Sequence, residues 1–227
     1  MENIFLPLLL AVIVSFAYYY SNKHTIKHKE WNKKIVSFSA GVSITYVLLE
    51  LFPTFTEASL RIDRLVYLSV PIGFIVHHII EKEIYKHNSK IELIRMLTLE
   101  EHVFSFIYHI ILGMILVTFA RGSATEALLL AIPILSYTFL SNLPANRHPI
   151  KSKAIFLSSA TVIGTVIALL WKSIPYWLEF FLIGVAIGVL LYTVIRHHIP
   201  FGSKGKVGYF TLGFAIYSIL IVLNWFI

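Results

Sequence analysis

The chain has no cysteine and few charged residues. Charged residues make up 14% of its 227 residues and hydrophobic ones 57%, whereas an ordinary soluble domain carries about 25% charged residues. The absence of cysteine excludes disulfides, thiolate metal sites, iron–sulfur clusters and thiol nucleophiles. Histidine and carboxylate side chains must therefore carry any metal or acid–base chemistry.

The apolar residues are grouped in long blocks. Blocks that can cross about 30 Å of hydrocarbon predict membrane-spanning helices. We therefore expect an all-α integral membrane protein, with residues 1–227 forming a single polytopic domain. Eight spans are predicted, at about 3–20, 35–53, 64–80, 102–119, 124–145, 154–171, 177–195 and 207–226. The first is interpreted as a helix and not as a signal peptide, because Met1-Glu2-Asn3 carries no basic residue.

The charges between the spans predict the orientation. Of the 19 Lys and Arg residues, 15 lie between an odd span and the next even one, and 4 lie on the other side. The positive-inside rule then places both termini outside the cytoplasm. This topology accounts for the net charge of +7 and argues against a nucleic-acid partner. The lipid bilayer is the expected partner, and the short loops favour a prokaryotic plasma membrane.

Spans 2 and 7 share a spacing that indicates an internal repeat. Gly41 precedes Pro53 by 12 residues, and Gly188 precedes Pro200 by the same interval. Because these spans run in opposite directions in the expected topology, spans 1–3 and 6–8 would form an inverted repeat around spans 4 and 5. Secondary transporters are commonly built in this way. The alternative is two ordinary spans, each with a small packing residue and a proline past its end.

This 3+2+3 arrangement resembles the ZIP (Zrt/Irt-like) metal transporters, and three segments carry the resemblance. Residues 39–42 leading to 51–53 are similar to the family's "AGV…HLLP", residues 81–82 with His87 to its "EK…H", and residues 188–192 leading to 199–200 to its "GAMLYV…EELIP". The resemblance implies a transporter and not an enzyme, with a divalent metal of the zinc or iron class as substrate and no resident cofactor.

The resemblance also implies a substrate site on spans 4 and 5. Placing the glycine of the family's "HNxPEG" signature on Gly113 puts Tyr108 at the histidine position, His109 at the asparagine position and Leu112 at the glutamate position. The second copy of that signature falls on residues 141–146, and Thr161 falls where the family often has another glutamate. The expected substrate-binding residues are Tyr108, His109, Gly113, Ser141, Asn142, Pro144 and Thr161, with His109 and Asn142 as metal ligands and Glu50 and His197 as pathway mouths.

The expected substrate-binding residues lack the carboxylates that would offset a divalent charge. Zinc prefers imidazole nitrogen or carboxylate oxygen, and only His109 provides either. Two alternatives therefore stay open: a transporter of a small polar solute, and a non-transporting scaffold or sensor. An intramembrane haem protein or enzyme would need a second mid-span histidine facing the first. A homodimer is also considered.

Individual polar residues have two interpretations each. His109 either lies on a substrate path, as ionisable groups within membrane helices commonly do, or is a neutral histidine bonded to a neighbouring helix. Ser141 and Asn142 either line an unwound segment before Pro144 or end a helix at the membrane surface.

Two other patterns are interpreted structurally. His77-His78 and the His24, His28 pair lie near lysines, which favours a solvated loop or interface. Thr98-Leu99-Glu100-Glu101 has the form of a capping box that would open span 4.

Overall fold

The computed structural model describes residues 4–23, 29–141, 151–171, 174–198 and 206–226, and all regular elements in these ranges are helical. Long runs of Leu, Ile, Val and Ala form helices in an apolar setting because a helix pairs its own backbone N–H and C=O groups. The α-helices are α1 (Phe5–Lys23), α2 (Lys29–Tyr46), α3 (Phe52–Ile62), α4 (Ser69–His87), α5 (Lys90–Gly122), α6 (Ala124–Ser141), α7 (Lys151–Ser158), α8 (Ala160–Leu170), α9 (Tyr176–Thr193) and α10 (Val207–Trp225).

Five of the described helical segments are long and apolar enough to cross a membrane. They cover Lys33–Ile62, Arg64–His87, Glu92–Gly122, Tyr176–Arg196 and Val207–Trp225. Three further apolar helices, within α1, α6 and α8, are shorter. These helices indicate a membrane-embedded, multi-pass protein. The number of spans and their orientation remain predictions.

The second predicted span does not end at Pro53. A π-helical turn, Val47–Leu51, joins α2 to α3, and the helical path continues to Ile62. Pro53 stands in the first turn of α3, where a missing backbone N–H is tolerated. The proline therefore marks a change of helical winding and not a helix end.

The polar stretch 81–101 is helical and not a connecting loop. α4 extends to His87 and α5 begins at Lys90, twelve residues before the predicted start of span 4. Thr98 lies inside α5, where its hydroxyl donates to the carbonyl oxygen of Ile94 at 2.7 Å. The prediction of a capping box at Thr98 was therefore wrong, because this hydroxyl bonds backward within a helix that is already formed.

Two glycines bring α2 and α10 into backbone contact. A Cβ on Gly41 would lie 2.2 Å from the carbonyl oxygen of Phe210, and one on Gly213 would lie 2.2 Å from that of Phe38. Ordinary contacts of a Cβ begin near 3.4 Å. Only the absence of a side chain allows these helices to approach so closely.

The same arrangement occurs where α4 packs on α9. A Cβ on Gly188 would lie 2.1 Å from the carbonyl oxygen of Val70, and one on Gly73 would lie 2.3 Å from that of Val185. Gly188 and Val185 of α9 lie 147 positions after Gly41 and Phe38 of α2. Gly73 and Val70 of α4 lie 140 positions before Gly213 and Phe210 of α10. A second π-helical turn, Val194–His198, follows α9 at the same offset of 147 from Val47–Leu51.

Candidate functional site

His109 lies at the centre of the bundle, where it is 1% exposed. Its Nδ1 lies 2.7 Å from the carbonyl oxygen of Ser105, and its Nε2 lies 3.0 Å from the hydroxyl oxygen of Thr138 on α6. Since a carbonyl can only accept, Nδ1 carries a proton, and in the neutral ring Nε2 accepts from Thr138. The ring of Tyr18 on α1 packs edge-on against the imidazole, with centroids 5.0 Å apart.

This geometry joins three helices through one imidazole. Both ring nitrogens of His109 have protein partners, so a metal ion or another solute would have to displace Thr138 from Nε2 in order to bind there. The second expected ligand, Asn142, lies outside the described residues, as does Pro144, and the side chain of Ser141 is likewise not described. A metal-binding role for His109 and Asn142 therefore stays a prediction.

Gly113 and Thr161 meet at a close crossing of α5 and α8. A Cβ on Gly113 would lie 2.1 Å from the carbonyl oxygen of Thr161, and one on Gly164 would lie 1.9 Å from that of Ile110. Thr161 is buried, and its hydroxyl has no hydrogen-bond partner among the described residues. Backbone packing thus brings together Gly113 and Thr161, two of the expected substrate-binding residues. The Thr161 hydroxyl is the polar group at this crossing that makes no hydrogen bond to a described residue.

Tyr108 belongs to a second polar group, which sequence analysis did not assemble. The buried phenol of Tyr46 lies within electrostatic range of Tyr217, Glu50, Glu126 and Tyr108. We call these five residues the Glu50–Glu126 cluster. The Tyr46 hydroxyl has no hydrogen-bond partner in the described part of the chain.

Besides Tyr108, the cluster contains two carboxylates within electrostatic range of Tyr46. Glu50 is partly buried and accepts a hydrogen bond from Trp225. Glu126 lies in the first turn of α6, where the sequence alone indicates only a favourable charge at a helix start. Glu50 lies in the π-helical turn that follows α2, and α2 packs against α6. The two carboxylates lie within electrostatic range of one another, and no local motif signals this.

His77 is buried and does not lie in a solvated loop or interface, so that prediction was wrong. Its ring stacks on Phe104, with centroids 4.2 Å apart, and its Nε2 lies 3.3 Å from Oε1 of Glu100. His78, on the adjacent face of α4, is partly buried and packs edge-on against Tyr192. His24 and His28 fall outside the described residues, and the side chain of His197 is not described.

Among the residues that the structure describes, no three His, Asp or Glu side chains form a group that could hold a metal ion. No protein-family model matches the chain, and no curated protein matches it.

Proposed function

We propose that the protein is a ZIP-like membrane transporter whose eight predicted spans form an inverted repeat. The repeated glycine contacts of α2 with α10 and of α4 with α9 support this proposal, since four contacts recur at constant offsets. Phe55, just beyond the π-helical turn that follows α2, packs against Gly184 in the middle of α9. The π-helical turn after α9 in turn contacts α2. The two helices therefore run antiparallel, as inversion requires.

A divalent metal cation is the proposed substrate, and the Glu50–Glu126 cluster is the observation that carries this proposal. A dication is expensive to move into an apolar medium unless fixed charges offset it. The two carboxylates near Tyr46 supply two negative charges, and the phenols and the imidazole of His109 offer further oxygen and nitrogen ligands. In this proposal the ion enters beside Glu50 and Glu126, passes Tyr108 and reaches the level of His109.

Both termini would lie outside the cytoplasm of a prokaryotic cell, and a second copy of the chain would be a partner in the bilayer. In the proposed path, His197 is the mouth at the other end, because it lies 147 positions after Glu50. The carboxylate mouth would then face outward, where a cation is first captured.

Uptake into vesicles that contain the purified chain tests the substrate. We expect saturable flux of at least one of Zn²⁺, Fe²⁺, Mn²⁺ and Co²⁺, with no flux of uncharged solutes. Glu50→Gln and Glu126→Gln should each lower the flux about tenfold or more, because each removes one of the two charges that offset the ion. A tenfold loss corresponds to about 1.4 kcal/mol. Glu57→Gln is the matched control, because Glu57 is exposed and paired with Arg61. Metal flux that both cluster variants retain in full would contradict the proposed path.

His109→Ala and Asn142→Ala test the remainder of the path. Each should reduce metal flux while the protein still reconstitutes. If flux of a small uncharged solute is saturable and that of every metal is absent, the polar-solute alternative replaces the metal proposal.

The second candidate is a non-transporting scaffold or sensor, and the pairing of His109 favours it. Both ring nitrogens are occupied by protein groups, and Gly113 and Thr161 serve a helix contact. A folded, reconstituted chain that moves no metal and no polar solute would establish this candidate in place of transport.

A further inference from the structure

A second buried ionisable group lies where α4, α5 and α9 meet. His77 of α4 and Glu100 of α5 face each other, with Nε2 and Oε1 3.3 Å apart and side chains only 8% and 7% exposed. The contact has the distance of an ion pair but lacks the direction of a hydrogen bond, because Glu100 Oε1 has no hydrogen-bond partner among the described residues. His77 Nδ1 has none there either.

The position of the imidazole is fixed by aromatic rings. Phe104 lies one turn after Glu100 and stacks on His77 with an interplanar angle of 10°. Tyr192 of α9 covers it from another side, with centroids 4.6 Å apart. These rings exclude water from His77 while offering it no charge.

The other charged groups nearby compensate one another. Glu81, one turn after His77 on α4, accepts a hydrogen bond from the Tyr192 hydroxyl at 2.5 Å. The Nε and Nη2 atoms of Arg196 both lie 3.2 Å from Glu81 Oε1. Glu81 and Arg196 thus neutralise each other, and the charge of His77 and Glu100 is left to balance within that pair.

We propose that His77 and Glu100 form a proton-binding site that holds one exchangeable proton. With no proton, a neutral imidazole beside a carboxylate leaves a buried charge of −1. With two protons, an imidazolium beside a carboxylic acid leaves +1. With one proton the pair is neutral, and a buried site favours the state without net charge.

The titratable groups that face this site come from each helix packed against it. On α4 they are Glu81 and His78, and on α9 they are Tyr192 and Arg196. On α5, Glu101 follows Glu100 but is exposed. The site is separate from the Glu50–Glu126 cluster, so it does not depend on the proposed substrate or on transport.

The test is the thermal stability of the purified full-length chain in detergent between about pH 3.5 and pH 9, which spans the ranges in which a carboxylate and an imidazole of the unfolded chain titrate. The wild type should lose stability above about pH 6.5, where the unfolded chain releases the imidazole proton that the pair keeps, and below about pH 4.3, where the unfolded chain gains a carboxyl proton that the pair does not take up. Glu100→Gln should abolish the alkaline loss, since a neutral imidazole beside an amide carries no charge. His77→Gln should abolish the acid loss, because a protonated Glu100 beside an amide carries no charge. Its loss of stability with rising pH should begin near about pH 4.3, where the carboxyl group of the unfolded chain ionises.

Glu83→Gln is the matched control, because Glu83 and His87 form an exposed imidazole–carboxylate pair 3.0 Å apart on the same helix. It should leave the pH profile unchanged. The double variant His77→Gln, Glu100→Gln carries no titratable group at the site, so it should show neither the acid nor the alkaline loss of stability. This readout remains available if a single variant fails to fold.

Two outcomes would overturn the proposal. One is a pH profile that the wild type shares with the double variant. The other is stabilisation of the wild type by added Zn²⁺ that Glu100→Gln loses, which would assign a metal ion and not a proton to the pair.

Discussion

The buried hydroxyl of Tyr217 compensates for a proline inside another helix. Pro133 lies within α6 and has no N–H, so the carbonyl oxygen four residues earlier, on Leu129, lacks its helical donor. The hydroxyl of Tyr217 on α10 donates to that oxygen. Tyr217 is 1% exposed, so water does not replace it easily.

Replacing Tyr217 with Phe should therefore leave one buried carbonyl oxygen without a hydrogen-bond donor. Phenylalanine keeps the ring and its edge-on contact with Tyr46, for which the centroid distance is 6.3 Å. The expected loss in unfolding free energy is about 1–3 kcal/mol. Pro133→Ala restores an N–H that can reach Leu129, so in the double variant the Tyr217→Phe loss should shrink by about 1 kcal/mol or more.

The assay is reversible unfolding of the four chains of this double-mutant cycle in mixed detergent micelles. Tyr209→Phe, which removes an exposed hydroxyl from the same helix, should change stability by no more than about 0.5 kcal/mol. An additive cycle would refute the reasoning, because the hydroxyl would then stabilise the protein independently of the proline. A Tyr217→Phe variant as stable as Tyr209→Phe would refute it as well.

Two further predictions concern helix packing and the central histidine. Gly41→Ala and Gly188→Ala should each lower the unfolding free energy by about 1–3 kcal/mol, since the new methyl meets backbone and the helices must separate. Gly208→Ala should leave the unfolding free energy unchanged, because nothing lies within 4 Å of its Cβ position. Equal losses at all three glycines in the same unfolding assay would contradict the contacts. Thr138→Val should lower the unfolding free energy by about 1 kcal/mol, because it removes the hydrogen-bond partner of His109 Nε2. An unchanged unfolding midpoint would contradict this prediction.

Helix content was predictable because it depends on local composition. Each predicted span falls largely within described helices, since an apolar run in an apolar setting has few alternatives to a helix. The helix ends were less predictable. Proline indicates a break, but at Pro53 a π-helical turn, which contacts α9, places the proline in the first turn of the next helix.

The polar groups were harder to predict because their partners are distant in sequence. His109 could be identified as a buried histidine, but its pairing with Thr138, 29 residues later, depends on how α5 and α6 are rotated against each other. The same holds for Glu126, which lies within electrostatic range of Glu50 in the π-helical turn after α2. For His77, nearby lysines indicated exposure. Stacking on Phe104 and the contact with the Glu100 carboxylate instead stabilise the buried ring.

The equivalence of the two helix pairs extends to the positions of their polar residues. Tyr217 lies 140 positions after His77, so one helix pair carries a phenol where the other carries an imidazole. The phenol satisfies a backbone carbonyl of α6, whereas the imidazole faces a carboxylate of α5. A repeated backbone therefore holds groups of different chemistry at its two equivalent positions. A proton at His77 therefore acts on the pair of α4 and α9, and its effect on stability should persist in variants of the Glu50–Glu126 cluster, which is separate from it.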